Sequence, residues 1–227
     1  MKKISKFYNQ NKGISVCFII SLLIAISYIA TLELPEIING IEKWYNLAFQ
    51  FSIGIICSFI FYIFQVYIPD EKRNQEINKC IKSRLITIKY KMKNQIDALA
   101  YVILGEENDV YTKEQLLKIA KEFDTNTKVN VINENKRYLT GIELIYGNIE
   151  EIKIETDKIF MYYNRNISVE IMKLLEEINK SLYVESMKSM YKIGNMKLGG
   201  STINNNQFLD YYLQYEELRE IIYNDFD

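Results

Sequence analysis

The sequence GISVCFIISLLIAISYIATL occupies residues 13–32, and the sequence WYNLAFQFSIGIICSFIFYIFQVYIP occupies residues 44–69. The two runs hold 20 and 26 consecutive residues without Asp, Glu, Lys or Arg. A helix rises about 1.5 Å per residue, so each run is long enough to cross the roughly 30 Å hydrocarbon core of a bilayer. The sequence therefore predicts an N-terminal transmembrane hairpin over residues 1–69, with spans at about 13–32 and 45–68.

Two other interpretations of these runs are a cleaved signal peptide and a buried core helix. A signal peptide needs a short apolar region and a small-residue cleavage site, whereas residues 27–35 read SYIATLELP. The second run begins with Trp44 and Tyr45 and ends near Tyr67, which is typical of aromatic residues at the two headgroup levels. Both observations favour spanning helices.

Lysine and arginine are distributed unevenly around the two runs. Four lysines and no acidic residue precede the first run, residues 33–43 between the runs hold three glutamates and one lysine, and residues 70–93 hold eight basic and three acidic residues. Cytoplasmic flanks carry the basic excess. Because the composition is also typical of an AT-rich bacterial genome, we expect a multi-pass protein of the bacterial cytoplasmic membrane with both termini in the cytosol.

Charge also divides the cytosolic part of the chain. Residues 94–227 hold 15 basic and 23 acidic side chains, a net charge of −8, which argues against nucleic-acid binding. The basic segment before them faces an anionic leaflet, so it is either a solvated topology determinant or a site for lipid headgroups. The candidate headgroup contacts are Lys72, Arg73, Lys79 and Lys82.

Residues that support catalysis are scarce. The chain has no histidine, which excludes Ser-His-Asp and Cys-His pairs and histidine-containing zinc sites. Cys17, Cys57 and Cys80 are expected to be reduced, small apolar residues. We therefore expect a non-enzymatic protein with no catalytic residue, cofactor or metal, unless acidic residues from distant helices converge on a metal ion.

Apolar residues in the membrane-proximal part of the cytosolic domain recur every three or four positions, with a repeat of about 3.67 residues per turn. They predict one long helix over about residues 71–104 that continues from the second span and ends at Gly105. Pro69 either lies in the first turn of this helix or kinks a continuous helix. The positions are Ile77, Ile81, Leu85, Ile88, Met92, Ile96, Leu99 and Ile103.

The remaining cytosolic sequence predicts further helices separated by polar loops. Thr112 with Gln115 and Thr140 with Glu143 form capping boxes, and Ser168 can cap a helix that continues to about Tyr191. Residues 124–138 and 194–206 are predicted loops, and a last helix covers about 207–223. No alternation typical of strands is sustained. The predicted fold class is therefore all-α: the hairpin, followed over residues 70–227 by a cytosolic bundle of four or five helices.

Small and polar residues line one face of each predicted span. They lie at helical spacing and belong either to ordinary hairpin packing or to a water-lined path formed by several copies. No Asp, Glu, Lys or Arg lies within the spans, which argues against a coupled transporter. The residues of this candidate face are Ser21, Ala25, Gln50, Gly54, Ser58 and Gln65.

In its arrangement the chain resembles small bacterial membrane proteins in which a two-span hairpin precedes a helical cytosolic domain, among them membrane effectors of antiphage abortive-infection systems. The resemblance covers the architecture of the whole chain and involves no shared motif. It implies a non-enzymatic effector or sensor whose cytosolic domain responds to a protein partner or a small signalling ligand, and whose hairpins then form homo-oligomers that change membrane permeability. The alternative is a membrane-anchored adaptor that recruits a cytosolic partner.

Overall fold

A computed structural model describes residues 7–9, 11–32, 40–132, 136–194 and 202–226. The described chain is mostly helical, which confirms the predicted class at that level. Contacts divide the chain into two units, Met1–Asn74 and Gln75–Asp227. The elements are α1 (Lys12–Thr31), α2 (Ile41–Tyr62), a π-helical turn (Ile63–Tyr67), α3 (Ile68–Leu104), α4 (Lys113–Glu122), β1 (Lys128–Ile132), β2 (Tyr138–Thr140), α5 (Gly141–Tyr163), α6 (Val169–Lys180), α7 (Leu182–Gly194) and α8 (Asn205–Phe226).

In the first unit, α1 and α2 pack against each other through aromatic side chains. Phe18 stacks on Phe59 with ring centroids 4.1 Å apart, and Tyr28 stacks on Phe49 at 4.4 Å. Because the earlier residue of α1 pairs with the later residue of α2, the two helices run antiparallel. The side chains buried in these two helices are small: Ser15, Ser21, Ala25 and Ser52.

The second apolar run and the predicted long helix belong to one helical segment that extends from Ile41 to Leu104. The expected continuation of the second span into the long helix is therefore present, and Pro69 lies inside a continuous helical segment. The helix continues past Pro69, and a π-helical turn lies directly before this residue. Proline has no N–H to donate to the carbonyl four residues earlier, so the α-helical hydrogen-bond pattern cannot be complete there. That carbonyl belongs to Gln65, which lies in the turn.

The core of the second unit contains the apolar repeat predicted for α3. Six of its residues are at most 1% exposed, which confirms this part of the prediction: Ile81, Leu85, Ile88, Met92, Ile96 and Leu99. Large side chains from the other helices complete the same core, among them Phe123, Ile145, Leu175, Tyr183, Phe208 and Tyr211. Polar side chains are buried in this unit as well, among them Thr125, Asn148, Thr156 and Gln95. Gln95 Nε2 donates a hydrogen bond to the Tyr211 hydroxyl.

Four of the predicted helix termini are confirmed. Thr112 and Thr140 each form a capping box with the residue three positions later, and the Ser168 hydroxyl accepts a hydrogen bond from the Ile171 N–H. Gly105 follows the end of α3 with a φ of +79°, a left-handed conformation that glycine adopts without strain. Local capping signals therefore determine where these helices begin and end.

Two predictions for the second unit are wrong. The loop predicted at 124–138 contains β1, which pairs antiparallel with β2, and Val129 of β1 is buried in the core. The helix predicted from Ser168 to about Tyr191 breaks at Ser181, whose hydroxyl accepts a hydrogen bond from the Val184 N–H and starts α7. As a result, the described part of the second unit has six helices rather than four or five.

The predicted loop at 194–206 falls partly outside the described residues, which resume at Thr202. The last helix extends beyond its predicted limits of 207 and 223 at both ends, since it covers Asn205–Phe226. Its first turn is capped by the Asn204 side chain, which accepts hydrogen bonds from the backbone N–H groups of Asn206 and Gln207.

Candidate functional site

The candidate site lies on two helices that are long and apolar enough to cross a membrane. Only 17% of the most apolar window of α1 is buried, and the corresponding value for the segment Ile41–Leu104 is 6%. Large apolar side chains such as Leu23, Phe51 and Phe61 are exposed. A buried core helix would have the opposite distribution, so this burial pattern does not fit that interpretation of the second run.

A groove of about 870 Å³ lies along one side of the pair formed by α1 and α2. From α2 it is lined by Gln50, Gly54 and Ser58, three of the residues predicted for the candidate face. These positions are four residues apart, so they lie one above another on the helix surface. The groove is otherwise mostly apolar, and its further lining includes Gly13, Cys17, Leu47, Phe51 and Tyr62.

The glycines of the groove are not needed for packing between α1 and α2, the antiparallel helix pair that is called the hairpin below. A Cβ atom placed on Gly13 or on Gly54 would meet no other atom within 4 Å. Glycine in an α-helix costs roughly 0.5–1 kcal/mol relative to alanine. The described structure therefore contains no intramolecular contact that explains the small size of these two residues.

The polar side chains of the groove are only partly satisfied. Gln50 Nε2 donates to Asn46 Oδ1 at 3.3 Å, and Ser58 has no side-chain hydrogen bond among the described residues. In lipid, such groups gain from partners on another helix, by about 0.6–2 kcal/mol each. Gln50 and Ser58 can thus accept or donate hydrogen bonds across the groove.

The other predicted face residues are not in the groove. Ser21 and Ala25 are buried inside the hairpin, on the side where Ser52 is also buried. Gln65 is exposed in the π-helical turn and is not part of the groove lining. The structure therefore separates the predicted face into a packing set, Ser21 and Ala25, and a groove set, Gln50, Gly54 and Ser58.

Gly13 was absent from the predicted face. It precedes Cys17 by four residues, which matches the spacing of Gln50, Gly54 and Ser58 on α2. This spacing was the available signal. It was missed because residue 13 directly follows Lys12, where the predicted span begins.

The four candidate headgroup contacts differ in their partners. Lys79 Nζ forms an ion pair with Glu76 at 2.7 Å, and Lys82 Nζ donates to the Phe226 carbonyl at 3.0 Å. The hydrogen bond from Lys79 to Glu76 raises the pKa of that lysine. Lys72 and Arg73 are exposed and form no ion pair among the described residues. Lys72 and Arg73 are therefore the two cations available to anionic headgroups.

Several acidic residues of the second unit are engaged in ion pairs on its surface. Glu151 pairs with Lys91 at 2.5 Å, and Glu150 lies 3.6 Å from Lys188. Within the described ranges, no group of three or more Cys, Asp or Glu side chains is arranged to hold a metal ion. These carboxylates have the geometry of a solvated, ion-paired surface.

Comparison with models of known protein families, with curated proteins and with solved structures gives no match to this chain.

Proposed function

We propose that the protein is a non-enzymatic membrane effector or sensor whose hairpins assemble in the bacterial cytoplasmic membrane and change its permeability. The observation that carries this proposal is the groove, in which Gly54 lies between Gln50 and Ser58 without serving the packing of its own hairpin. Small residues let transmembrane helices approach closely, and polar residues hold them by hydrogen bonds. A groove with both features suits a helix from a second copy.

Permeability is the proposed consequence of assembly. The groove set carries two uncharged polar side chains and no ionisable group, so several copies that turn this face inward would surround a polar, uncharged path. Such a path passes small ions without strong selectivity. In the resting protein the same face would meet lipid or one neighbouring hairpin, and the membrane would stay sealed.

The second unit is the proposed regulatory part. It has its own large core and connects to α2 through a backbone that is helical from Ile41 to Leu104. This direct connection through the backbone is the proposed link between the regulatory part and the hairpin. Binding of a partner or small ligand to the second unit would then change the assembly of the hairpins.

The proposed topology places both termini in the cytosol and residues 33–39 outside. Lys72 and Arg73 follow the second span and would contact anionic headgroups, with about 1 kcal/mol gained per basic residue near the surface. Replacement of both by glutamine should weaken binding of the purified chain to vesicles that contain anionic lipid. Lys79→Gln, at a lysine already paired with Glu76, is the matched control.

The proposal is tested by induced expression in bacteria loaded with a membrane-potential dye, with and without phage infection as a trigger. We expect depolarisation with the wild-type chain and loss of depolarisation with Gly54→Leu, which fills the groove. Ile60→Phe adds bulk at an exposed position outside the groove lining and should retain the response. Normal growth and an unchanged membrane potential under every trigger, at confirmed membrane expression, would contradict the effector role.

The alternative function, a membrane-anchored adaptor, is favoured by the acidic charge of the second unit, whose residues 94–227 carry a net charge of −8. An acidic surface attracts a basic cytosolic partner. The two proposals differ in what the hairpin must do. Replacement of residues 1–69 by an unrelated two-span anchor should abolish the activity of an effector and preserve that of an adaptor.

A further inference from the structure

A second concave site lies wholly within the second unit, between α3 and β1. This cleft has a volume of about 260 Å³, close to the lower end of the range for small-ligand sites, roughly 300 Å³. One face of α3 forms its long wall, since its residues there are three, four or seven positions apart. The opposite side is formed by Asn130 and Val131 of β1 and by Glu107 in the loop after α3. The wall residues used below are Tyr90, Lys93, Asn94, Asp97 and Tyr101.

The cleft already holds one ammonium group, that of Lys93. Its Nζ atom lies 2.5 Å from Asp97 Oδ1, donates to the Asn108 carbonyl and sits 4.8 Å from the ring centroid of Tyr111. The Tyr111 hydroxyl donates to Asp97 at 2.7 Å. Burial, reinforced by Asp97, raises the pKa of Tyr111 well above its ordinary value, so this hydroxyl remains a donor. Lys93 and Asp97 therefore neutralise each other.

The groups that remain free in the cleft have a common chemistry. Tyr90 and Tyr101 are 62% and 46% exposed, so their ring faces are open to a ligand. The side chains of Asn94 and Asn130 have no hydrogen-bond partner among the described residues, and Glu107 has no ion pair there. Aromatic faces, amide oxygens and a carboxylate all attract a cation.

The charge balance points the same way. With Lys93 and Asp97 paired, Glu107 leaves the cleft with one net negative charge, and the loop adds Glu106 and Asp109 nearby. A neighbouring depression shares Tyr101 and Asn130 with the cleft and is also lined by Lys128. The negative charge of the cleft therefore does not extend to that side. An anionic ligand in the cleft would meet the uncompensated carboxylate of Glu107.

We infer that this cleft binds an extended organic cation through its ammonium or guanidinium groups, with Tyr90 and Asn94 toward one end of the α3 wall and Tyr101 and Glu107 toward the other. Tyr90 and Tyr101 are 11 residues apart on α3, about 16 Å along the helix axis, so the cleft suits an extended cation rather than a compact one. The group can come from a free polyamine or from a basic side chain of a partner peptide. The inference rests on the proposed function in one respect: the proposed function has the second unit respond to a partner or ligand, and the inference gives the chemistry of that ligand.

Binding is measured by isothermal titration calorimetry on the full chain in detergent at physiological ionic strength. The probes are spermidine, a lysine peptide (acetyl-Gly-Lys-Gly-amide) and the same peptide with norleucine, which keeps the alkyl stem and lacks the ammonium. We expect saturable binding of a cationic probe and none of the norleucine peptide. Spermidine alone binding identifies a free polyamine as the source, and binding of the lysine peptide identifies a peptide side chain.

Variants separate the cleft from the general acidity of the domain. Tyr101→Leu should weaken binding about fivefold through loss of the cation–π contact, whereas Tyr101→Phe keeps the ring and should bind like the wild type. Glu107→Gln should weaken binding by a similar factor. The matched controls are Tyr223→Leu and Glu217→Gln, at exposed positions outside the cleft. Circular dichroism checks that each variant is folded.

Two results would overturn the inference. One is the absence of saturable binding by either cationic probe up to roughly 10 mM, beyond which affinity has little specificity. The other is equal weakening by the cleft and control variants, which would indicate diffuse attraction to the acidic surface. Because binding is measured without any permeability readout, its failure leaves the proposed membrane function standing, and a sealed membrane leaves the binding result standing.

Discussion

The hairpin and the helical unit use similar apolar residues in opposite places. In the hairpin, the buried positions are Ser15, Ser21, Ala25 and Ser52, and large side chains such as Phe51 face outward. In the helical unit, large aliphatic and aromatic side chains are buried and charged residues face outward. Water drives apolar groups inward, whereas lipid gives them no such preference and leaves close contact of small residues as the source of helix association.

This difference means that the two units are stabilised by different interactions. The helical unit depends on burial of apolar area, at about 25 cal/mol per Å². The hairpin depends on ring contacts such as Phe18 with Phe59 and on hydrogen bonds near its ends, including Tyr62 to Asn11 Oδ1 at 2.9 Å. The same substitution should therefore have unequal effects in the two units.

The largest expected effect comes from truncation of a buried aromatic residue. Phe208→Ala should lower the free energy of unfolding of the helical unit by about 3–5 kcal/mol, because it removes apolar burial and leaves a cavity. Phe51→Ala, at a side chain that is 67% exposed, should cost less than about 0.5 kcal/mol. Urea unfolding of the detergent-solubilised chain, followed by circular dichroism, measures both. Equal losses would contradict the contrast between the units.

Glycines give a second comparison, with a smaller effect. A Cβ on Gly141 would lie 2.4 Å from the Phe123 ring, so Gly141→Ala should destabilise the helical unit by about 1–3 kcal/mol. Gly147, in the same helix α5, has open space, and Gly147→Ala should stabilise it by roughly 0.5–1 kcal/mol. The two unfolding midpoints should move in opposite directions. A common direction would show that helix propensity outweighs the Phe123 contact.

Removal of a helix cap in the helical unit should lower the free energy of unfolding by about 1 kcal/mol. Thr140→Ala removes the hydroxyl that accepts a hydrogen bond from the Glu143 N–H at the start of α5. Thr140→Ser keeps an acceptor and is the matched control. Loss of unfolding free energy by both variants alike would assign the effect to packing of the threonine methyl group rather than to the cap.

The smallest effect is a pH dependence at Glu155. Burial alone would raise its pKa, but hydrogen bonds from Lys158 and Arg84 outweigh burial and lower the pKa below its ordinary value. Because the folded-state pKa is the lower one, the ion pairs stabilise the fold above the unfolded value of about 4.3, and this contribution is lost as pH falls through the folded-state pKa. Glu155→Gln should therefore show a smaller drop in urea midpoint between pH 7 and pH 4. An unchanged drop would contradict the assignment.

Local signals explain most of what the sequence predicted. The apolar repeat of α3 and the caps at Thr112, Thr140 and Ser168 depend on residues three or four positions apart, so their chemistry is visible in the sequence. The break at Ser181 was missed because Leu182, four residues after Ile178, continues the helical spacing of apolar residues. In the structure Leu182 is 69% exposed, and the core position is Tyr183, five residues after Ile178.

The strands and the groove depend on contacts that lie far apart in sequence. β1 is only five residues long, and Val129 is buried by helices rather than by a sustained alternation. The packing face of a helix that is long and apolar enough to cross a membrane is ambiguous for a different reason. Its residues are apolar on every side, so spacing alone did not separate Ser21 and Ala25, which pack within the hairpin, from Gln50, Gly54 and Ser58, which line the groove.

Disulfide crosslinking in native membranes tests the central claim most directly, that the groove face joins hairpins from different copies. Single cysteines are placed at Gly54, Ser58 or Ile60 in a chain whose three native cysteines are replaced by alanine. We predict crosslinked dimers with Gly54→Cys and Ser58→Cys and none with Ile60→Cys, which is exposed but lies outside the groove lining. Crosslinking at Ile60 alone, or at none of the three positions in active cells, would contradict the account.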